Sequence, residues 1–162
     1  MSVTIQCEDE SFVVDIDIAK QSVILKNMIE DIGSEGSLNI NNIKKDTMRR
    51  VIKFCEHYKE SKLPTIQKPL QSANLSEAIN DEWYVNFIDL DKVDDIIDIV
   101  IAANFLDIDP LTELSCAKIA SFIKGKSVEE IRKKFGIEND FTPEEEAQIR
   151  EENKWAESVV NN

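Results

Sequence analysis

Residues 96–108 read IIDIVIAANFLDI, and only Asp98, Asn104 and Asp107 among them are polar. A helix that is apolar nearly all round is normally enclosed by other elements, so this stretch is expected to be the central helix. It closes a segment, 83–109, whose seven acids are all Asp and whose single cation is Lys92. Asp109-Pro110 then sets a capping carboxylate before a proline at the first helical position. The helix that follows carries Leu111, Leu114, Cys116, Ile119, Ala120 and Ile123 and ends at Gly125.

Upstream the hydrophobic period changes twice. Val3, Ile5 and Cys7, then Phe12, Val14 and Ile16, alternate with mostly polar neighbours around Glu8-Asp9-Glu10-Ser11. That is the period of two strands joined by a short polar loop. In residues 17–33 the stripe Ile18, Leu25, Met28, Ile29 and Ile32 predicts one helix stopped by Gly33. Leu38 and Ile40 suit a short strand. Asp46 is expected to cap a helix that turns Met48, Val51, Ile52 and Cys55 inward. Between 59 and 82 the periodicity disappears, and Pro64, Pro69 and scattered Ser, Asn and Gln predict a mobile surface insertion. Downstream, Ser127-Val128-Glu129-Glu130 and Thr142-Pro143-Glu144-Glu145 both fit the capping-box pattern. The first helix should end at Gly136 and the second near Trp155. Hairpin, helix, short strand and then helices only make an α+β chain.

The 162 residues hold 42% hydrophobic and 31% charged side chains, a globular balance that needs no metal or disulfide to fold. Nineteen Lys and Arg face thirty-two Asp and Glu, a formal charge of −13. Nucleic-acid and anionic-membrane binding are therefore poor hypotheses. Cys7, Cys55 and Cys116 are scattered and odd in number, which points to reduced thiols in the cytoplasm or nucleus. The acidic start MSVTIQCEDE does not read as a signal peptide, and the longest apolar run, 99–103, is far short of a membrane span.

A search for chemistry finds no active site. His57 is the only histidine and lies off the apolar stripe. There is no G-x-S-x-G, H-E-x-x-H or P-loop. Asp91, Asp94, Asp95 and Asp98 lack the calcium-loop spacing and read as a solvated face. Lys124, Lys126, Arg132, Lys133 and Lys134 mix with Glu129 and Glu130 and lack interleaved aromatics. Cys55 and Cys116 both fall on predicted apolar helix faces, where cysteine behaves as a small hydrophobe. The informative oddity is 127–155, where Val128, Ile131, Phe135, Ile137, Phe141, Ala147, Ile149 and Trp155 are spread thinly over two short helices. Such helices are marginal without packing. Either they dock on 111–123 to finish the core, or another protein completes them. The large, rigid Phe141 and Trp155 favour the second reading.

The run 123–155, IKGKSVEEIRKKFGIENDFTPEEEAQIREENKW, resembles the C-terminal segment of the Skp family, the F-box-binding adaptors of cullin–RING ubiquitin ligases. Blocks 17–33 (DIAKQSVILKNMIEDIG), 51–58 (VIKFCEHY) and 101–111 (IAANFLDIDPL) match in the same order. The resemblance implies a BTB/POZ-like α+β domain over 1–124, with a variable loop at 59–82, and a two-helix F-box-binding extension over 125–162. It implies no catalysis and no cofactor. F-box proteins and a cullin are the implied partners, with the RING subunit and E2 reached indirectly, in cytoplasm and nucleus.

Asn104 and Phe105 match the family's cullin-facing pair, the second position being more often Tyr. The F-box-facing set maps to Leu111, Cys116, Ile119, Ile123, Ile131, Phe135, Phe141 and Trp155. Pro143 matches a proline that some unicellular members hydroxylate and glycosylate. Departures are Ser127-Val128 for Thr-Pro, Thr112 for a second leucine, and Ala156 for a cysteine. Exposed apolar surface of this kind also predicts weak self-association of the free chain. The rivals are an elongin-C-like adaptor, which the extension argues against, and a non-ligase F-box assembly of kinetochore or proton-pump type.

Overall fold

The computed structural model describes residues 1–33 and 36–154. Alternation of apolar and polar residues builds the antiparallel pair β1 (Ser2–Cys7) and β2 (Glu10–Asp15), in which Val3 faces Val14 and Ile5 faces Phe12. β3 (Ser37–Asn39) joins β1 in parallel on its other side, giving the order β2-β1-β3. One face of this sheet buries Val3, Ile5, Cys7, Val14 and Leu38. The hairpin expected from the sequence is present, except that Ile16 opens a helix instead of extending the strand.

The single helix expected over 17–33 is two, α1 (Ile16–Ala19) and α2 (Val23–Ile32). Ser22 is the reason: its Oγ accepts the Leu25 amide at 3.1 Å and starts a new helix by competing for the backbone. Helix α2 does stop at Gly33, but Ile32 is exposed. Helix α3 (Lys45–Glu60) begins one residue before the expected cap, so Asp46 lies in its first turn and pairs with Arg49 at 2.6 Å. The free Lys45 amide is capped from a distance by Glu8 Oε2 at 3.0 Å, out of the β1–β2 turn. A cap supplied by tertiary structure left no trace in the local sequence.

The stretch 59–82 is not the mobile insertion expected. It contains α4 (Leu75–Ala78), and Ile66, Leu75 and Ile79 are buried in the core. Asp81 then caps α5 (Glu82–Ile88), accepting from the Trp83 and Tyr84 amides. The Tyr84 hydroxyl donates to the Ser61 carbonyl and ties α5 to the end of α3.

α6 (Val93–Leu106) and α7 (Asp109–Ile123) pack as a hairpin through the middle of the molecule. The turn is only two residues long because Asp107 takes a left-handed conformation, φ 53°, which an aspartate tolerates better than most residues. Ser22, the cap of α2, donates to the Leu106 carbonyl at 2.5 Å and holds this corner. Asp109, expected as the cap of α7, lies in its first turn, and the cap position is Ile108 without a side-chain bond. Beyond α7 come α8 (Val128–Phe135) and α9 (Pro143–Glu152), each opened by a complete capping box, at Ser127/Glu130 and Thr142/Glu145. The α+β class expected from the sequence is what is seen.

Candidate functional site

Among the described residues two separate apolar faces remain uncovered, and both descend from the central hairpin. On α6 the residues Ile96, Ile99, Ala102, Ala103 and Leu106 are buried. Ile97, Ile101 and Phe105 follow at intervals of four on the opposite side, Ile101 59% and Phe105 40% exposed. The expectation of a helix enclosed on all sides is therefore corrected. α6 is central on one face and open on the other, because no other described element packs over Ile101. Asn104 is exposed beside Phe105, so the expected cullin-facing pair lies on the surface. Lys44 crosses to Asp98 at 2.6 Å and borders this stripe.

The second face starts on α7. Cys116 and Ile123 are exposed and Ile119 is half-buried, all on one side of the helix. It continues onto half-buried Ile131 and Phe135 of α8 and exposed Phe141 of the connector. Val128, Ile137 and Ile149 add further exposed apolar area. No described residue of α8 or α9 is buried. Leu111 is the exception in the expected set: its side chain is 0% exposed, inside the core, and contributes nothing to this surface. Trp155 lies outside the described residues.

Phe122 was not singled out from the sequence, yet it fastens α8 to α7. Its ring meets Phe135 edge to face at 6.5 Å, and the Lys134 ammonium sits 4.3 Å over it. Its position directly before Ile123, on the flank of the apolar stripe, was the available signal.

The capping boxes shape the local electrostatics. The Ser127 amide holds the Glu130 carboxyl below its usual range, and the Thr142 amide does the same for Glu145. Pro143 occupies the first turn of α9, exposed, with its missing N–H costing nothing there.

His57 and Cys55, also raised by the sequence, fall into structural places. His57 stacks on Trp83, ring centroids 3.6 Å apart, within an aromatic cluster that includes Tyr84. Cys55 is buried, and burial pushes its thiol up to about 12. Cys116, exposed as a residue of the second face, also lines a cleft of about 560 Å³ between 66–70 and α7, floored by Ile66, Leu70, Ala117 and Ala120. Lys68 and Glu113 meet at 2.5 Å on its rim. Among the described residues no three His, Cys, Asp or Glu side chains gather as metal ligands. None of the described helices is long and apolar enough to cross a membrane.

Comparison with known proteins places this geometry. Residues 1–60 match the profile described as Skp1 family, tetramerisation domain, and residues 109–156 match Skp1 family, dimerisation domain. The chain is 49% identical over 154 residues to the S-phase kinase-associated protein 1 homolog of Tetrahymena thermophila, covering 95% of this chain and 92% of that one. It is 45% identical over 141 residues to the E3 ubiquitin ligase complex SCF subunit sconC of Arthroderma benhamiae, covering 86% and 85%. With the suppressor of kinetochore protein 1 of Schizosaccharomyces pombe it shares 42% over 154 residues, 94% and 95% of the two chains.

Proposed function

Because the chain belongs to the Skp1 family, with a BTB/POZ-like core, we propose that it is the non-catalytic adaptor of an SCF-type E3 ubiquitin ligase, joining F-box proteins to a cullin. The observation that carries this reading is the extension after Ile123, two capped helices without a buried residue of their own. A capped helix is locally well formed, but its apolar side chains gain their transfer free energy only against a partner. Cys116, Ile119, Ile123, Ile131, Phe135, Phe141 and Trp155 form the proposed F-box face. Asn104 and Phe105 form the proposed cullin face, with Ile97 and Ile101 extending it.

The adaptor works by geometry. α6 and α7, which carry the cullin face and the start of the F-box face, share one buried core that includes residues from Val3 to Ala117, and this holds those two helices at a fixed separation. The substrate carried by the F-box protein is then presented at a set distance from the RING-bound E2 at the far end of the cullin. The functional division falls at 124/125, and the protein acts in cytoplasm and nucleus. Without a partner the exposed F-box face supports weak self-association. Hydroxylation at exposed Pro143 is a further element of this reading, tested by the mass of that peptide in natively purified protein. The SCF-subunit names of the relatives favour ligase work over a non-ligase F-box assembly.

The test is a pair of variants that should fail in opposite assays. Phe141→Ala with Trp155→Ala is expected to weaken binding to a purified F-box domain about thirtyfold or more while cullin binding survives. Charged replacements at Asn104 and Phe105 should abolish cullin binding and spare the F-box domain. Equal F-box affinity for the first variant by calorimetry refutes the reading.

A further inference from the structure

The extension poses a physical question that its apolar residues do not answer. Helix α8 is fastened to α7 through Phe122, but α9 has no comparable aromatic anchor among the described residues. What it has is Arg132. The guanidinium of this α8 residue donates to Glu146 of α9 at 3.1 Å and lies 5.9 Å from the ring centroid of Phe141 in the connector. Its backbone carbonyl accepts the Ile137 amide at 2.9 Å, where the chain reverses after Gly136 (φ 64°). One residue therefore touches all three parts of the extension.

Arg132 and Glu146 are also its most enclosed ion pair, their side chains 18% and 32% exposed. Glu146 further accepts from Asn139 at 3.4 Å and lies 3.9 Å from Arg150, which reaches back to Glu129 of α8 at 3.1 Å. Isolated surface pairs contribute little, but a connected and partly enclosed network holds one geometry against the entropy of its side chains. A lysine in place of Arg132 would keep the charge and lose the planar guanidinium that reaches Glu146 while lying near the Phe141 ring.

We propose that Arg132 is a positioning residue for the F-box face, clamping Phe141 and α9 onto α8 so that the free chain already presents that face in its binding geometry. The assignment rests on the F-box reading and deepens it. A surface ordered before encounter loses less conformational freedom on binding, so the clamp acts on affinity without contacting the partner.

Three readouts on the full-length chain test it: hydrogen exchange of the α9 amides, calorimetric affinity for a purified F-box domain, and affinity for a cullin N-terminal region. Arg132→Met should speed α9 exchange and weaken F-box binding about tenfold, leaving cullin affinity and the melting temperature unchanged. Glu146→Gln should act in the same direction, and the double variant should be no worse than Arg132→Met alone. Arg132→Lys should recover only part of the loss. If Arg132→Met leaves exchange and F-box affinity unchanged while Phe141→Ala lowers that affinity, the clamp is refuted and the adaptor reading stands. Additive losses would also overturn the clamp, by showing that Arg132 meets the partner directly. Failure of the unaltered chain to bind any F-box domain would refute the adaptor reading, and the assignment of this face with it.

Discussion

Helices α6 and α9 illustrate two ways of being a helix in one chain. α6 has neither a side-chain cap nor a cation in its last turn, yet five of its fourteen residues are buried and it runs through the middle of the molecule. α9 has a proline start, a complete capping box and three acids in its first turn, and none of its ten residues is buried. Tertiary burial holds the first, and local hydrogen bonding with the helix dipole holds the second. The difference teaches where function lies. An element stabilised by its own termini can leave its apolar side chains for someone else.

The largest effect that sharpens this comparison is a core truncation. Leu111→Ala should lower unfolding stability by about 2–5 kcal/mol in a denaturant titration, because the site is fully enclosed and leaves a cavity. Were Leu111 an interface residue, the same change would barely move stability and would act on F-box binding alone. Phe141→Ala is the counterpart, expected to shift stability by no more than about 0.5 kcal/mol.

Proton chemistry separates the two regions next. Cys55 and Tyr84 are pushed up to about 12, chiefly by burial, from 9.0 and 10.0. The folded chain keeps both neutral, while the unfolded chain releases their protons as pH rises through 9 and 10. Stability of the core should therefore fall with rising pH above about 9, followed by near-ultraviolet circular dichroism. Glu130 and Glu145 behave oppositely, since their folded values lie below 4.5. The capping stability they contribute is fully present above that pH and disappears as pH falls through the folded values. Helicity of α8 and α9 should fray on acidification before the core opens, as read by residue-resolved amide shifts.

The smallest effect breaks one cap. Thr142→Ala should weaken α9 by about 1 kcal/mol in local hydrogen exchange, with global melting nearly unchanged. A fall in global stability of the same size would mean that α9 is part of the cooperative core.

Much of the fold was legible from short-range pattern. The two capping boxes, the stop at Gly33 and the reversal at Gly136 are each set by residues within about four positions of one another, and the β hairpin by alternation within residues 2–15. The under-buried extension was legible too, because apolar side chains so thinly spread have no local way to be covered. Other features depended on distant partners. The amide at the start of α3 is capped by Glu8 rather than Asp46, and no window around residue 46 contains that information. The stretch 59–82 looked mobile because its buried apolar residues are few: Ile66 stands alone, and Leu75 and Ile79 bracket a single short helical turn.

By itself, then, the sequence determined the hairpin and most of the longer helices, where several of them begin and stop, and that the apolar side chains of 127–154 are too thinly spread to make a core of their own. Only the tertiary structure decided which sides of the two apolar helices stay open. It turned Ile101 and Phe105 outward, withdrew Leu111 into the interior, brought Cys116 to a cleft, and set Arg132 between Phe141 and Glu146. The reason is physical. Capping and periodicity act over one or two turns, whereas the open side of a helix that is apolar all round depends on which neighbours arrive from elsewhere in the chain.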